Sequence, residues 1–345
     1  MNHCVKKFQR IGLLLFSVKF MCTRMLNMGN IFGLWKLDKP ILCRKEISGK
    51  KFSSRIVDTE VEFCFPSCPE TYDHDNMNFL NGDLIAPMGV FADKIGWGTI
   101  HAWPEGLLSV NYLLCLIMDD EVDFHKIYTD FWEWKEKFYN LCMIEDGDFI
   151  HPEQKMPSFL QYGNGINDGL ELFRRQDEEK IVRLINNRKL EPIKLELVSR
   201  DQCYDLNKME TLFHNAGSEK QISLPYELLI VAYRAVLRYD FRSAIIICGT
   251  ALERAILHRI KKHYKDNNPE EFENDKNKHR MLWKEFQWLE DLQINIPIQN
   301  YQTEIIDVRN PTAHEGENYS FDRTKKYLDK CMIIIKEYCP NVLEE

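Results

Sequence analysis

No stretch of the 345 residues approaches the ~20 consecutive apolar residues that a membrane-spanning helix requires, so no membrane partner is expected. Positive charge is also in deficit. Lys and Arg number 45 against 53 Asp and Glu, a formal net charge of −8, which argues against indiscriminate coating of nucleic acid through many phosphate contacts. A local basic site is compatible with that balance. The 11 cysteines are odd in number and scattered from Cys4 to Cys339, unlike a disulfide framework, which a chain of this length does not need. A cytoplasmic, reducing compartment is the expectation. A phosphate-binding P-loop is missing as well: Gly163-Asn164-Gly165 reads as a turn, without the Lys and the Ser or Thr. Cys64 and Cys68 have no second ligand pair at recognisable spacing and are read as free thiols, so neither a metal nor a cofactor is expected.

At roughly 150 residues per domain the length suggests two domains. Residues 1–55 are basic and irregular, with Lys6, Lys7 and Arg10 before the apolar run Ile11 to Phe16. That pattern faintly resembles a signal peptide, but Lys19 and Arg24 interrupt the residues after the run and no clear cleavage site appears. Met21, Met25 and Met28 are alternative starts. Residues 56–215 read as an α+β domain of unassigned role, sensory or regulatory. Val57 to Phe63 and Ile193 to Val198 alternate like strands. Leu107 to Met118 is buried as either strand or helix, and Phe124 to Ile144 is a helix with Ile127, Phe131, Trp134, Phe138 and Leu141 on one face. Asp119-Asp120-Glu121 suits the start of that helix through its dipole and needs no cation.

Asn215 to Lys220 turns small and polar, a linker into an all-α bundle over residues 221–340. Its first helix, Leu224 to Tyr239, carries Leu228, Val231, Ala235 and Arg238 along one face. The second, Phe241 to Tyr264, is apolar nearly all round in its first half, which should therefore be central to the bundle. A third groups Leu282, Phe286, Leu289 and Leu292, and a last groups Phe321, Leu328, Met332 and Ile335.

The chemistry concentrates in Val308-Arg309-Asn310-Pro311-Thr312-Ala313-His314-Glu315-Gly316. The planar fork of Arg309 suits a phosphate and His314 can move protons near neutral pH, so the two could cut a phosphodiester without a metal. A purely structural account makes Asn310 an N-cap, Pro311 the first helical residue and Gly316 the end of a single turn. It leaves unexplained why Arg309 and His314 flank that turn. On a straight helix the two stand about 140° apart, and a kink at Pro311 would bring them together.

The motif, placed after a run of helices and before the last long one, resembles that of the HEPN family, and the resemblance covers about the last third of the chain. It implies a metal-independent endoribonuclease that works as a homodimer through the helical bundle, each protomer contributing its motif. Arg309 would hold the scissile phosphate, His314 would act as general acid or base, Asn310 would orient or hydrogen-bond, and Glu253 would support Arg309. The basic excess on the second helix, including Arg254, Arg259, Lys261 and Lys262, could steer RNA. His258 and His263 read as surface residues. The resemblance further implies a toxin or anti-phage defence effector, controlled by a regulatory protein or a phage-derived trigger. In one branch of the family a Tyr stands two positions after the His and is modified by a partner nucleotidyltransferase; here that position is Gly316. The alternative is a noncatalytic HEPN-like module that binds RNA or protein, or dimerises.

Overall fold

The computed structural model describes residues 31–65, 100–103, 106–119, 121–146, 170–175, 181–184, 203–267 and 269–344. The chain divides into two compact units, residues 1–138 with 158–217, and residues 139–157 with 218–345. An antiparallel sheet comes first and a succession of helices comes after it. No helix among the described residues is long and apolar enough to cross a membrane.

The first unit holds strands β1 (Ile31–Arg44), β2 (Lys51–Ile56), β3 (Thr59–Cys64), β4 (Ile100–Trp103), β5 (Leu107–Ile117), β6 (Leu170–Arg175) and β7 (Ile181–Arg183). They form one sheet in the order β2-β3-β5-β1-β6-β7, with β4 also paired to β5, and every pairing is antiparallel. The β1–β5 register slips between Lys36 and Ile41, a stretch containing Pro40, which has no N–H to give to the ladder. Leu107 to Ile117 is thus a strand, and its position between β1 and β3 explains its nearly unbroken apolar run.

Helix α1 (Phe124–Asp146) buries all five residues expected on its apolar face. Trp35 of β1 is fully buried and meets Phe63, Phe131, Trp134 and Phe138 edge-on at centroid distances of 5.7, 5.4, 5.4 and 5.4 Å. Helix α2 (Leu206–Ala216) starts where the Asp205 carboxylate accepts the Lys208 N–H at 2.9 Å, and adds Phe213 to the same aromatic core.

Three expectations need correction. Of the segment 1–55, residues 31–55 are not irregular, because β1 and most of β2 run through them. The β2 alternation escapes notice since Ser54 occupies a buried position, where its hydroxyl donates to the Phe213 carbonyl at 2.6 Å and accepts from Trp134 Nε1 at 3.0 Å. The strand expected from Val57 begins only at Thr59, as Val57 lies in the β2–β3 turn at φ 52°. Finally, Asn215 and Ala216 still belong to α2. Ile193 to Val198 and Gly163 to Gly165 lie outside the described residues.

The second unit contains α3 (Leu224–Leu237), α4 (Phe241–Asn267), α5 (Pro269–Lys276), α6 (Leu282–Asp291), α7 (Asp307–His314) and α8 (Phe321–Tyr338). α4 is the hub, packing against α3, α5, α6, α7 and α8. Its buried stripe, Ala244, Ile245, Cys248, Ala251, Leu252, Ala255, Ile256, Ile260 and Tyr264, continues beyond the apolar first half, because the charges after Glu253 fall between stripe positions. On α3 the buried face is Tyr226, Leu229, Ile230, Tyr233 and Val236 together with the expected Ala235, whereas the expected Val231 is 45% exposed. Overall apolarity hides the direction of such a helix.

Ser54→Ala should destabilise the first unit by about 2 kcal/mol, since it leaves the buried Trp134 indole N–H without its partner, while the Phe213 carbonyl keeps only the Gly217 N–H at 3.2 Å. Urea unfolding followed by near-UV circular dichroism of the Trp35 and Trp134 cluster measures this, and a change below about 0.5 kcal/mol would count against the bridge.

Candidate functional site

A five-residue π-helical turn, Gln302–Ile306, feeds directly into α7. Such turns often mark functional positions in helices. Asn310 and Pro311 therefore lie inside a helix, and the expected N-cap at Asn310 is overturned; position 306 precedes α7 in helical conformation. Pro311 removes the N–H that would bond Asp307, while Thr312 Oγ1 donates to the Val308 carbonyl at 2.7 Å. Helix α7 ends at His314, and Gly316, at φ 76°, turns the chain away.

Arg309 points into the bundle. Its Nη2 donates to Glu253 Oε1 on α4 at 3.1 Å, and its Nη1 lies 3.5 Å from Asn310 Oδ1, a long and weak contact. The Arg309 and Glu253 side chains are 21% and 23% exposed. Their approach is made possible by Gly249, one helical turn before Glu253. A Cβ there would stand 3.1 Å from Arg309 Cγ and 3.0 Å from the Tyr327 hydroxyl.

Sequence reasoning missed two members of this cluster. Glu285 of α6 is buried, and burial, reinforced by the nearby Glu253 charge and opposed by Arg309 and Arg254, raises its pKa from the ordinary 4.5 to about 8. It is a neutral acid at pH 7. Burial raises the Glu253 pKa too, with Arg309 and then Arg254 pulling it back. Tyr327 of α8 is fully buried beside Arg309 and the thiols of Cys331 and Cys248. Among the described residues, Arg309 Nε, Glu285 Oε2 and the Tyr327 hydroxyl are buried without a hydrogen-bond partner of good geometry. The available signal for Glu285 was its spacing, three residues after Leu282 and four before Leu289, on the apolar face of α6. Tyr327, next to Leu328, carried no such signal, because only packing against α4 places its hydroxyl there.

His314 is exposed, and among the described residues no hydrogen bond joins its ring to Arg309 or to any other group. The structure thus brings Arg309, Asn310 and Glu253 together and leaves His314 outside, at the C-terminal end of α7 where a cation suits the helix dipole. Arg254 is exposed and acts electrostatically on both acids. Arg259 lies near the Tyr338 hydroxyl, whereas Lys261 and Lys262 are exposed. His258 is exposed and His263 half-buried.

The remaining sequence candidates are accounted for locally. The Cys64 thiol is buried and pushed up to about 12, chiefly by burial, while Cys68 lies outside the described residues. The Asp119 carboxylate accepts the Glu121 N–H at 2.9 Å, and Asp123 does the same for His125 at the start of α1.

Gly249→Ala should lower the melting temperature of the helical unit despite the better helix propensity of Ala. The gain of about 1 kcal/mol is outweighed by crowding of about 1–3 kcal/mol, because the fully buried Tyr327 cannot retreat. An equal or higher melting temperature would show that Arg309 has room to move. Because the folded pKa of Glu285 lies above its unfolded value, the folded state holds a proton that the unfolded state has released between pH 4.5 and 8. Its stabilising contribution is complete below pH 4.5 and is lost as the pH rises to 8. Relative to Glu285→Gln, the wild type should therefore lose about 1.4 kcal/mol per pH unit across that window. Parallel stability curves for the two proteins would place the proton elsewhere.

No protein-family model matches the chain, and neither a curated protein nor a solved structure is significantly similar to it.

Proposed function

We propose that the chain is a metal-independent endoribonuclease of HEPN type, acting as a homodimer through its helical unit, in the setting of a toxin or anti-phage defence effector. What carries this reading is the division of labour on α7. Arg309 is held by Glu253 with its Nη1 edge only loosely engaged, while His314 on the same helix is exposed and unbonded among the described residues. An RNA phosphate would take the Nη1 edge of Arg309 and gain a charge-assisted, directional contact. The ribose 2′-hydroxyl attacks phosphorus, forming the P–O2′ bond as the P–O5′ bond breaks. His314 takes the 2′-hydroxyl proton or supplies one to the departing 5′ oxygen, and two protomers provide an imidazole for each task. Arg309 offsets the charge that builds on the phosphoryl oxygens. The products are a 2′,3′-cyclic phosphate and a free 5′-hydroxyl, and DNA, lacking the nucleophile, is not cut. A regulatory protein or phage-derived trigger would govern the activity, and Gly316 in place of a modifiable Tyr speaks against control by nucleotidyl transfer.

One observation favours a second reading, a noncatalytic module for RNA binding, protein binding or dimerisation. The Arg309 guanidinium is already neutralised by Glu253, as a structural ion pair would be. The two readings separate in one experiment: labelled single-stranded RNA and tRNA incubated in EDTA with wild type, Arg309→Ala and His314→Ala, with the product ends identified. The nuclease reading expects cleavage to cyclic phosphate ends by the wild type and a loss of about 10²–10⁴-fold in His314→Ala. As His314 is exposed, that variant should keep the wild-type melting temperature. Equal rates in wild type and His314→Ala, or no cleavage under any trigger tried, would favour the binding module.

A further inference from the structure

The C-terminal end of α4 meets α5 and α6 in a second cluster, built from rings rather than ions. Tyr264 accepts a hydrogen bond from Trp288 Nε1 at 3.3 Å and donates one to Asp275 Oδ2 at 3.0 Å. Phe272 and Trp288 stack at 5.9 Å, and Tyr264 meets both rings edge-on. His279 stacks on Trp288 with centroids 4.6 Å apart and planes 14° apart, and its Nδ1 is 2.9 Å from the Asp275 carbonyl. These contacts clamp the turn between α5 and α6.

What that turn presents is basic and aromatic. Residues 276 to 284 read Lys-Asn-Lys-His-Arg-Met-Leu-Trp-Lys, with no acid. Glu273 and Asp275 partly neutralise Lys276 and Lys278, at 3.5 and 2.7 Å. Arg280 donates only to Asn277 Oδ1 at 2.6 Å, and neither it nor Lys284 has a carboxylate partner among the described residues. Between them Met281 is 58% and Trp283 42% exposed, and Lys284 Nζ lies 5.5 Å from the Trp283 ring. Exposed Lys261 and Lys262 stand at the same end of α4, two and three residues before Tyr264.

We infer that Arg280, Trp283 and Lys284 form a contact surface for single-stranded RNA, separate from the Arg309 cluster. A flat indole flanked by unpaired cations matches the chemistry of an unpaired strand, in which bases stack on an aromatic face while phosphates meet Arg and Lys. A duplex hides its base faces and offers the indole nothing to stack on. The clamp on the turn means that little ordering is needed when a strand binds. The inference rests on the nuclease reading for its choice of RNA over DNA.

Binding is measured by fluorescence anisotropy with a labelled oligouridine in EDTA, using the full chain carrying His314→Ala so that cleavage plays no part. Added Trp283→Ala should weaken binding about tenfold or more, while Trp283→Phe should retain most of it. Arg280→Ala with Lys284→Ala should reduce the slope of log affinity against log salt by about 1.4, from ~0.7 per lost phosphate contact. A labelled duplex should bind more weakly than the single strand. Unchanged affinity in Trp283→Ala and in the double variant, preference for the duplex, or no binding at all would overturn the surface. Failure of wild type to cleave under any trigger tried, while oligouridine binding depends on Trp283, would instead overturn the nuclease reading alone.

Discussion

The ion pair between Arg309 and Glu253 is the constraint around which the helical unit is arranged. Both charges sit largely out of water, and an unpaired charge there is not tolerated, so removing one partner of a buried pair costs about 3–5 kcal/mol. With 21% and 23% of the two side chains exposed, the lower end of that range applies. The pair brings α7 close to α4, so a side chain at position 249 would press on Arg309 and Tyr327. It also bears on Glu285, whose pKa burial raises first, with the Glu253 charge adding to the rise and Arg309 opposing it. Glycine, acid pair and tyrosine thus form one electrostatic unit rather than separate features.

That unit is both a stabilising element and a candidate for chemistry, and the two roles make different demands. A structural pair should be fully satisfied; this one leaves Arg309 Nε and Glu285 Oε2 without partners among the described residues and one guanidinium edge loosely held. Natural interiors satisfy most buried polar groups, and among the described residues Ser223 Oγ and Glu304 Oε2 are further exceptions outside this cluster. A neutral carboxylic acid beside an arginine lets the guanidinium keep more of its positive field for a phosphate than two carboxylates would. His314, five residues further on, is exposed instead.

Among the described residues, the sheet unit has no comparable polar centre. Its organising group is Trp35, a large ring in edge-on contact with four others, for which aromatic pairs add about 0.5–1.5 kcal/mol each beyond burial. Buried Ser54 is satisfied twice, and its hydroxyl joins β2, α1 and α2.

Where the pattern of apolar residues was strong, the sequence sufficed. The spacing of Ile127, Phe131, Trp134 and Phe138 determined α1 and its buried face, and that of Leu282, Phe286 and Leu289 did so for α6, because a helix repeats every 3.6 residues and burial must follow. The pairing of Arg309 with Glu253 was legible, Glu253 being an acid that interrupts an apolar helix. Tertiary structure decided the rest. Periodicity cannot choose a face on α3, where nearly every side is apolar, nor tell strand from helix over Leu107 to Ile117, where both faces of the sheet are covered. It cannot mark β2, whose buried Ser54 imitates an exposed one until Trp134 and Phe213 arrive. It gives no sign that Glu285 and Tyr327 surround Arg309, because they come from helices distant in sequence and meet only when α6 and α8 pack on α4. Local sequence sets the period of burial, but which polar groups share a low-dielectric pocket is a property of packing alone.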